Sequence, residues 1–218
     1  GKPIFVDIDE QTYNIDPSMI EAAITPRTKA IMPVSLYGQI ANMDAINEIA
    51  AKHNLVVIED AAQSFGATFN GKKSCNVSKI GCTSFFPAKP LGCFGDGGAV
   101  FTDDDDIAEK IKSMRVHGQT ERYYHKYIGM GGRLDTLQAA VLDVKLSHYD
   151  KDVERRQQVA TQYTQLLKSS DVIVPVVDDN KTSVWAQYSI RVKNREKIQG
   201  QLRDNGIPTA VHYPRPLH

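Results

Sequence analysis

Cysteine is scarce in this sequence. Cys75, Cys82 and Cys93 are the only three in 218 residues, too few for a disulfide framework and spaced unlike common zinc motifs. They read as reduced, buried thiols of a cytoplasmic protein, the usual setting of free cysteine. No two of the six histidines stand four residues apart, so no metal site is expected. Net charge is missing too. The 26 Lys+Arg balance the 26 Asp+Glu, which removes bulk attraction to nucleic acid or an anionic membrane. No apolar run approaches the roughly 18 residues that a membrane span needs. The opening Gly-Lys-Pro-Ile-Phe-Val-Asp lacks the charged-then-apolar pattern of a signal peptide. No Gly-x-Gly-x-x-Gly or P-loop follows an early strand; Gly92–Gly98 runs into a strand instead of opening a helix.

What is present is an ordinary globular composition, 41% hydrophobic and 24% charged, at a length that suits one or two domains. Ile4–Ile8 alternates like a strand. Asp16-Pro17 is an N-cap followed by proline at the first helical position, opening a short helix to Ile24. Lys29–Val34 is a second strand. Asn42 caps a helix whose Met43, Ile46, Ile49 and Ala50 recur at helical spacing. Leu55–Ile58 is a continuous apolar run, the mark of a central parallel strand covered on both faces. This alternation predicts an α/β fold with a mostly parallel sheet flanked by helices and right-handed crossovers.

Further along, Thr83–Phe86 and Gly98–Thr102 are short strands separated by glycine-rich Leu91–Gly98. Asp103–Asp106 supplies favourable charge to the start of a helix over Ile107–Val116. After Gly129–Gly132, the residues Leu134, Leu137, Val141 and Leu142 mark an amphipathic helix, and the polar Asp150–Leu167 a long connecting helix. Then Val172–Val177, Trp185–Val192, Glu196–Asp204 and Thr209–Val211 read as strand, strand, helix, strand. The pattern divides into a large domain over 1–148 and, over 149–218, a connecting helix with part of a smaller α/β domain.

Ligands of open α/β sheets sit at the carboxyl ends of the strands. Asp60 ends the apolar run, whereas Glu59 alternates to the other face and is the weaker candidate. A lone aspartate at a strand end is more often a helix N-cap. Lys89 lies among Phe85, Phe86, Pro87 and Leu91. An apolar setting disfavours an ammonium ion and makes the amine a better nucleophile, though a lysine in such a turn is more often a snorkelling surface residue. Together they are the equipment of a pyridoxal phosphate site: a Schiff-base lysine and a carboxylate for the pyridinium nitrogen.

Four strings carry a resemblance: Glu-Asp-Ala-Ala-Gln-Ser at 59–64, Ser-Phe-Phe-Pro-Ala-Lys-Pro-Leu-Gly-Cys-Phe-Gly-Asp-Gly-Gly-Ala at 84–99, Gly-Arg-Leu-Asp-Thr-Leu-Gln-Ala-Ala at 132–140, and His-Tyr-Pro-Arg-Pro-Leu-His at 212–218. In this order they resemble the DegT-type nucleotide-sugar aminotransferase family. The resemblance implies a fold-type I aminotransferase architecture, the cofactor pyridoxal 5′-phosphate, and a homodimer with composite active sites. It implies that Lys89 bonds the cofactor and shuttles a proton, that Asp60 pairs with the pyridine nitrogen, that Gln63 hydrogen-bonds the phenolic oxygen, and that Ser84 donates to the phosphate. It implies that Arg133, His212 and Tyr213 reach a sugar nucleotide from the neighbouring subunit. Arg133 has an alternative as a partner of Asp135, and the 212–213 pair as loop packing.

An intact Lys89, where some relatives carry histidine and deoxygenate, points to amino transfer from an amino acid such as L-glutamate to a nucleotide-linked keto-sugar. A UDP-linked 3-keto sugar of bacterial surface polysaccharides is the branch most resembled. Two features depart from the pattern. Gly131 stands where the family has an asparagine that reaches the partner's cofactor phosphate. The family's N-terminal Gly-Thr phosphate-binding turn and its usual C-terminal end are not in the 218 residues, the pattern of a fragment. The alternative reading is a non-catalytic member that only dimerises or binds a sugar nucleotide.

Overall fold

A computed structural model describes residues 1–218. In chain order its elements are α1 (Ile20–Ala23), β1 (Ala30–Ile31), α2 (Met43–Lys52), β2 (Val56–Asp60), β3 (Thr68–Phe69), β4 (Lys72–Lys73), β5 (Ile80–Ser84), β6 (Gly98–Phe101), α3 (Asp105–Met114), β7 (Gln119–Glu121), β8 (Tyr124–His125), α4 (Thr136–Leu167) and α5 (Arg195–Asp204). The local signals work as expected. Asp16 accepts from the Ser18 N–H ahead of a short 3₁₀ turn, Asn42 from Ala45 at the start of α2, and Asp104 from Ile107 at the start of α3; each satisfies a backbone donor left without an intrahelical partner.

The main sheet has the order β1-β2-β5-β6. Its first three strands are parallel and β6 is antiparallel to β5. Register and pleat assign the side chains to faces. Ile31 and Val57 point to one face, against Met43, Ile46 and Ala50 of α2, and Glu59, two residues on in β2, shares that face. Farther along that layer Phe85, Leu91 and Cys93 pack with Leu142 and Tyr149 of α4. The other face carries Met32, Val34, Val56 and Val100, which are 36–63% exposed. The apolar run in β2 is therefore covered on one face, not on two.

Two further expectations change. Ile4–Ile8 forms no strand; its only ladder contact is a bridge from Ile8 to Ile15. The strands expected over Val172–Val177, Trp185–Val192 and Thr209–Val211 do not form either. In the 171–192 segment, Ile173 bridges Arg191, while Lys181 and Ser183 bridge Phe69 and Gln39 of the first half. The β-type sequence is spent on single tertiary contacts, which override strand propensity. The amphipathic and connecting helices merge into α4, 32 residues without a break, about 48 Å at 1.5 Å per residue.

Candidate active site

Asp60 is gripped from both sides by backbone. Its N–H donates to the Pro33 carbonyl (2.9 Å), its carbonyl accepts from Ser35 (2.9 Å), and the next residue, Ala61, donates to Cys82 (2.7 Å). Register sets Asp60 opposite Cys82 on the open face, and Ser84, two residues on in β5, shares that face. One carboxylate oxygen of Asp60 accepts from the Ala62 N–H at 3.0 Å, so the capping role is real, but it caps a turn and no helix follows. Its other oxygen has no hydrogen bond. Ser84 Oγ accepts from the Phe86 N–H at 3.2 Å, which leaves the hydroxyl proton available to an outside acceptor.

Lys89 follows on the loop from Phe86 to Gly97. The base of the loop is closed by Phe85 N–H to Gly97 O (2.7 Å) and Cys93 N–H to Phe85 O (2.8 Å). Gly92 is required there: a Cβ would lie 2.6 Å from the Pro87 carbonyl. From α4, Gln138 accepts the Phe94 N–H at 2.8 Å and the Lys145 ammonium donates to the Gly92 carbonyl. Lys89 is half-buried, and its ammonium has neither hydrogen bond nor ion pair within the chain. The structure thus presents an unpaired amine on a braced loop that starts at the strand end carrying Ser84.

Gln63 lies in a turn, not a helical one; Ser64 N–H reaches Ala61 O at 3.1 Å. Both ends of its amide are engaged. Oε1 accepts from the Tyr37 N–H and Nε2 donates to the Tyr213 hydroxyl, each at 2.7 Å. The His212–Tyr213 pair, anticipated from a partner subunit, here reaches Gln63 of its own chain, and the Tyr37 hydroxyl donates to the His212 carbonyl. Arg133 stands apart. It is exposed just before α4, forms no ion pair with Asp135, and is not joined to the other candidates. Near it in sequence Ile128, Met130 and Leu137, with Phe94 tied to Gln138 in the first turn of α4, are 68–99% exposed. Gly131 bridges Val116, and a Cβ there would meet the His117 ring at 3.2 Å.

One contributor, Tyr37, escaped the reading of the sequence, and a second, Glu59, figured there only as the weaker neighbour of Asp60. Tyr37 follows β1, two residues beyond the Ser35 that pairs with Asp60; the Tyr-Gly pair after a strand was the available signal. Glu59, fully buried, accepts from Ser35 Oγ (3.1 Å), Ser74 Oγ (3.0 Å) and Cys75 N–H (2.7 Å). Burial pushes its carboxyl above the usual range despite these donors. Burial, then the charge of Glu59, pushes the Cys75 thiol up to about 12. Burial, then neighbouring Asp60, raises the half-buried Cys82 thiol. The Tyr37 hydroxyl is likewise raised, by burial and then by Tyr213 and Tyr13.

A profile of the DegT/DnrJ/EryC1/StrS aminotransferase family matches residues 1–218. The chain is 57% identical over its full length to the UDP-2-acetamido-2-deoxy-3-oxo-D-glucuronate aminotransferase of Pseudomonas aeruginosa, covering 61% of that protein. It is 46% identical to the dTDP-3-amino-3,6-dideoxy-alpha-D-galactopyranose transaminase of Aneurinibacillus thermoaerophilus, over 99% of this chain and 60% of that one. Among solved structures, a DegT DnrJ EryC1 StrS aminotransferase from Brucella abortus superposes with a TM-score of 0.96 at 42% identity, over 100% of this chain and 60% of that one. A Bacillus subtilis protein, ntda, solved with bound cofactor PMP, gives 0.89 at 33% identity, over 98% and 50%. The fold is that of these aminotransferases, and the chain spans about 60% of the length of the curated relatives it matches.

Proposed function

The chain belongs to the DegT/DnrJ/EryC1/StrS aminotransferase family, and on that premise we propose that it takes part in the pyridoxal 5′-phosphate-dependent transamination of a nucleotide-linked keto-sugar. The observation that carries this reading is the gathering, at two neighbouring strand ends, of a free carboxylate oxygen on Asp60, a hydroxyl with a spare proton on Ser84, and the loop that bears the unpaired amine of Lys89. That donor set fits the cofactor: an acid for the ring nitrogen, a donor for the phosphate, an amine for the carbonyl carbon. When bound, the cofactor supplies a cationic ring that takes up the electron pair left as a substrate α-proton departs. Asp60 keeps the ring nitrogen protonated, because an adjacent carboxylate favours the cation. Lys89 holds the cofactor through its amine and moves the proton at the substrate carbon. Ser84 orients the phosphate, and Gln63, which gives one amide hydrogen to Tyr213, has its second for the phenolic oxygen.

Arg133, His212 and Tyr213 recognise the sugar nucleotide, the planar guanidinium suiting phosphate or carboxylate bidentately. The exposed apolar residues flanking Arg133 in the chain are a surface that a second copy covers, which supports a homodimer with composite sites. The 57% identity to the enzyme named for a UDP-linked 3-oxo sugar supports a substrate of that class, with L-glutamate as donor and a role in amino-sugar or surface-polysaccharide synthesis. No helix is long and apolar enough to cross a membrane, and the three free thiols agree with a cytoplasmic setting.

The decisive experiment is borohydride reduction of the cofactor-treated protein followed by peptide mass spectrometry. One pyridoxyl group on Lys89, lost in Lys89→Ala, is the expected result; a label elsewhere, or none, overturns the assignment. A second reading, a member that binds sugar nucleotide without turnover, is favoured by Gly131 at the position of the family's phosphate-reaching asparagine. Formation of 2-oxoglutarate from glutamate excludes it.

A further inference from the structure

We propose that Tyr37 is a positioning residue that holds the His212–Tyr213 segment against the Gln63 amide; this rests on the aminotransferase reading only for what Gln63 and that segment face. The turn Leu36–Gly38 is anchored at every step. Ser35, fully buried, donates its hydroxyl to Glu59 and accepts from Ala41 N–H at 3.3 Å. Leu36 N–H donates to Asn14 Oδ1 at 2.8 Å, and the Gly38 carbonyl accepts from Val184 at 3.0 Å. Gly38 has φ +119°, and a Cβ on it would sit 2.6 Å from the Trp185 nitrogen. Between these anchors Tyr37 takes φ +59°, ψ +1°, a left-handed conformation uncommon for an aromatic residue. Fixed contacts on both sides, rather than its own preference, put it there.

That conformation has two consequences. The Tyr37 N–H can only donate, so the Gln63 atom facing it at 2.7 Å is the oxygen. The amide nitrogen is then directed the other way, a pure donor that meets the Tyr213 hydroxyl at 2.7 Å. Meanwhile the Tyr37 ring, edge-on to Tyr13 with centroids 5.5 Å apart, carries its hydroxyl to the His212 carbonyl. Backbone and side chain of one residue therefore join the wall of the site to a segment 175 positions away in sequence. Tyr213 is otherwise 56% exposed, so this pair of hydrogen bonds is what registers the segment over Gln63.

The test uses Tyr37→Phe, which removes the hydroxyl and keeps the backbone donor, with Tyr213→Phe, the double variant, and Tyr188→Phe as a control that loses a hydroxyl bonded elsewhere, to Thr164. Hydrogen exchange of residues 207–218 is the first readout. Tyr37→Phe and Tyr213→Phe each speed exchange there severalfold, the double variant speeds it by less than the product of the two, and Tyr188→Phe leaves it unchanged, all at an unaltered melting temperature. Unchanged exchange in Tyr37→Phe, or a fully multiplicative double variant, overturns the inference. The second readout is the absorption of the pyridoxal 5′-phosphate-treated protein. Tyr37→Phe leaves the band in place because the Gln63 amide keeps its direction, while Gln63→Glu moves it; a band that shifts with Tyr37→Phe overturns the argument about the amide. Released segment exchange together with no cofactor band in any form, wild type included, defeats the aminotransferase reading and leaves the positioning role standing.

Discussion

Glu59 and Asp60 are neighbours in one strand, yet they live on opposite faces of the sheet. Glu59 is sealed beneath Ser35, Ser74 and Cys75, with every one of those donors aimed at it. Asp60 looks onto the face where Met32, Val34, Val56 and Val100 stand exposed, and one of its oxygens has no partner. The packed face fixes positions: Glu59 ties the end of β2 to the turn that carries Tyr37. The open face offers unspent groups, the Asp60 oxygen and the Ser84 proton, with the Lys89 loop leading off its edge. A satisfied buried acid stabilises structure; an unsatisfied one at a strand end is available for chemistry.

That contrast can be broken most sharply by replacing the two acids one at a time. Glu59→Ala removes the acceptor of the Ser35 and Ser74 hydroxyls and of the Cys75 N–H, of which Ser74 alone has a second acceptor, Ser64, and at about 1–3 kcal/mol for each buried group left unpaired urea unfolding should register a loss of several kcal/mol. Asp60→Asn should leave stability within about 1 kcal/mol, as for substitutions away from packed features, while cofactor retention and any turnover collapse. Equal destabilisation by the two would contradict the division of faces. One step smaller is the adjacent pair Ile31 and Met32. Ile31→Ala, on the packed face at 7% exposure, should cost about 2–4 kcal/mol. Met32→Ala, 63% exposed, should stay within about 0.5 kcal/mol.

A subtler distinction lies in pH. The Glu59 carboxyl is raised, chiefly by burial. Between the ordinary glutamate range and the raised one, the folded chain therefore holds this proton more often than the unfolded chain. The contribution of Glu59 to stability then falls as pH rises through that window. Wild type should gain on Glu59→Gln as pH is lowered through it, and parallel stability curves would show that the carboxyl is not raised. The smallest effect concerns the thiols. Cys75, behind Glu59, is pushed up to about 12. Cys82 shares the open face with Asp60 and is only half-buried. Iodoacetamide at mildly alkaline pH should label Cys82 before Cys75, read by peptide mass spectrometry; the reverse order would count against the assignment of faces.

Much of this arrangement is legible in the sequence. The capping residues Asp16, Asn42 and Asp104, the parallel run into Asp60, and the order of Ser84 and Lys89 are all local, and local signals survive folding. Legibility ends where contacts are distant. Val172–Val177 and Trp185–Val192 have strand composition, but they pair only singly, Val176 with Gln39 and Ile173 with Arg191, and no periodicity shows that. Tyr37 was missed because its importance comes from a φ of +59° imposed by residues far along the chain. Glu59 is legible as the residue facing away from Asp60, but its hold on three donors depends on Ser74 and Cys75 arriving from a hairpin.

Short-range physics, one residue's hydroxyl or carboxylate meeting a backbone N–H a few positions away, accounts for the helix starts and for the turns at the strand ends that carry Asp60 and Ser84, since those interactions need no knowledge of the rest of the chain. Which face of the sheet is sealed, which way the Gln63 amide points, and the seating of Tyr213 beside it are settled by groups 26 to 175 positions apart. Burial and hydrogen-bond direction exist only once those groups have been brought together.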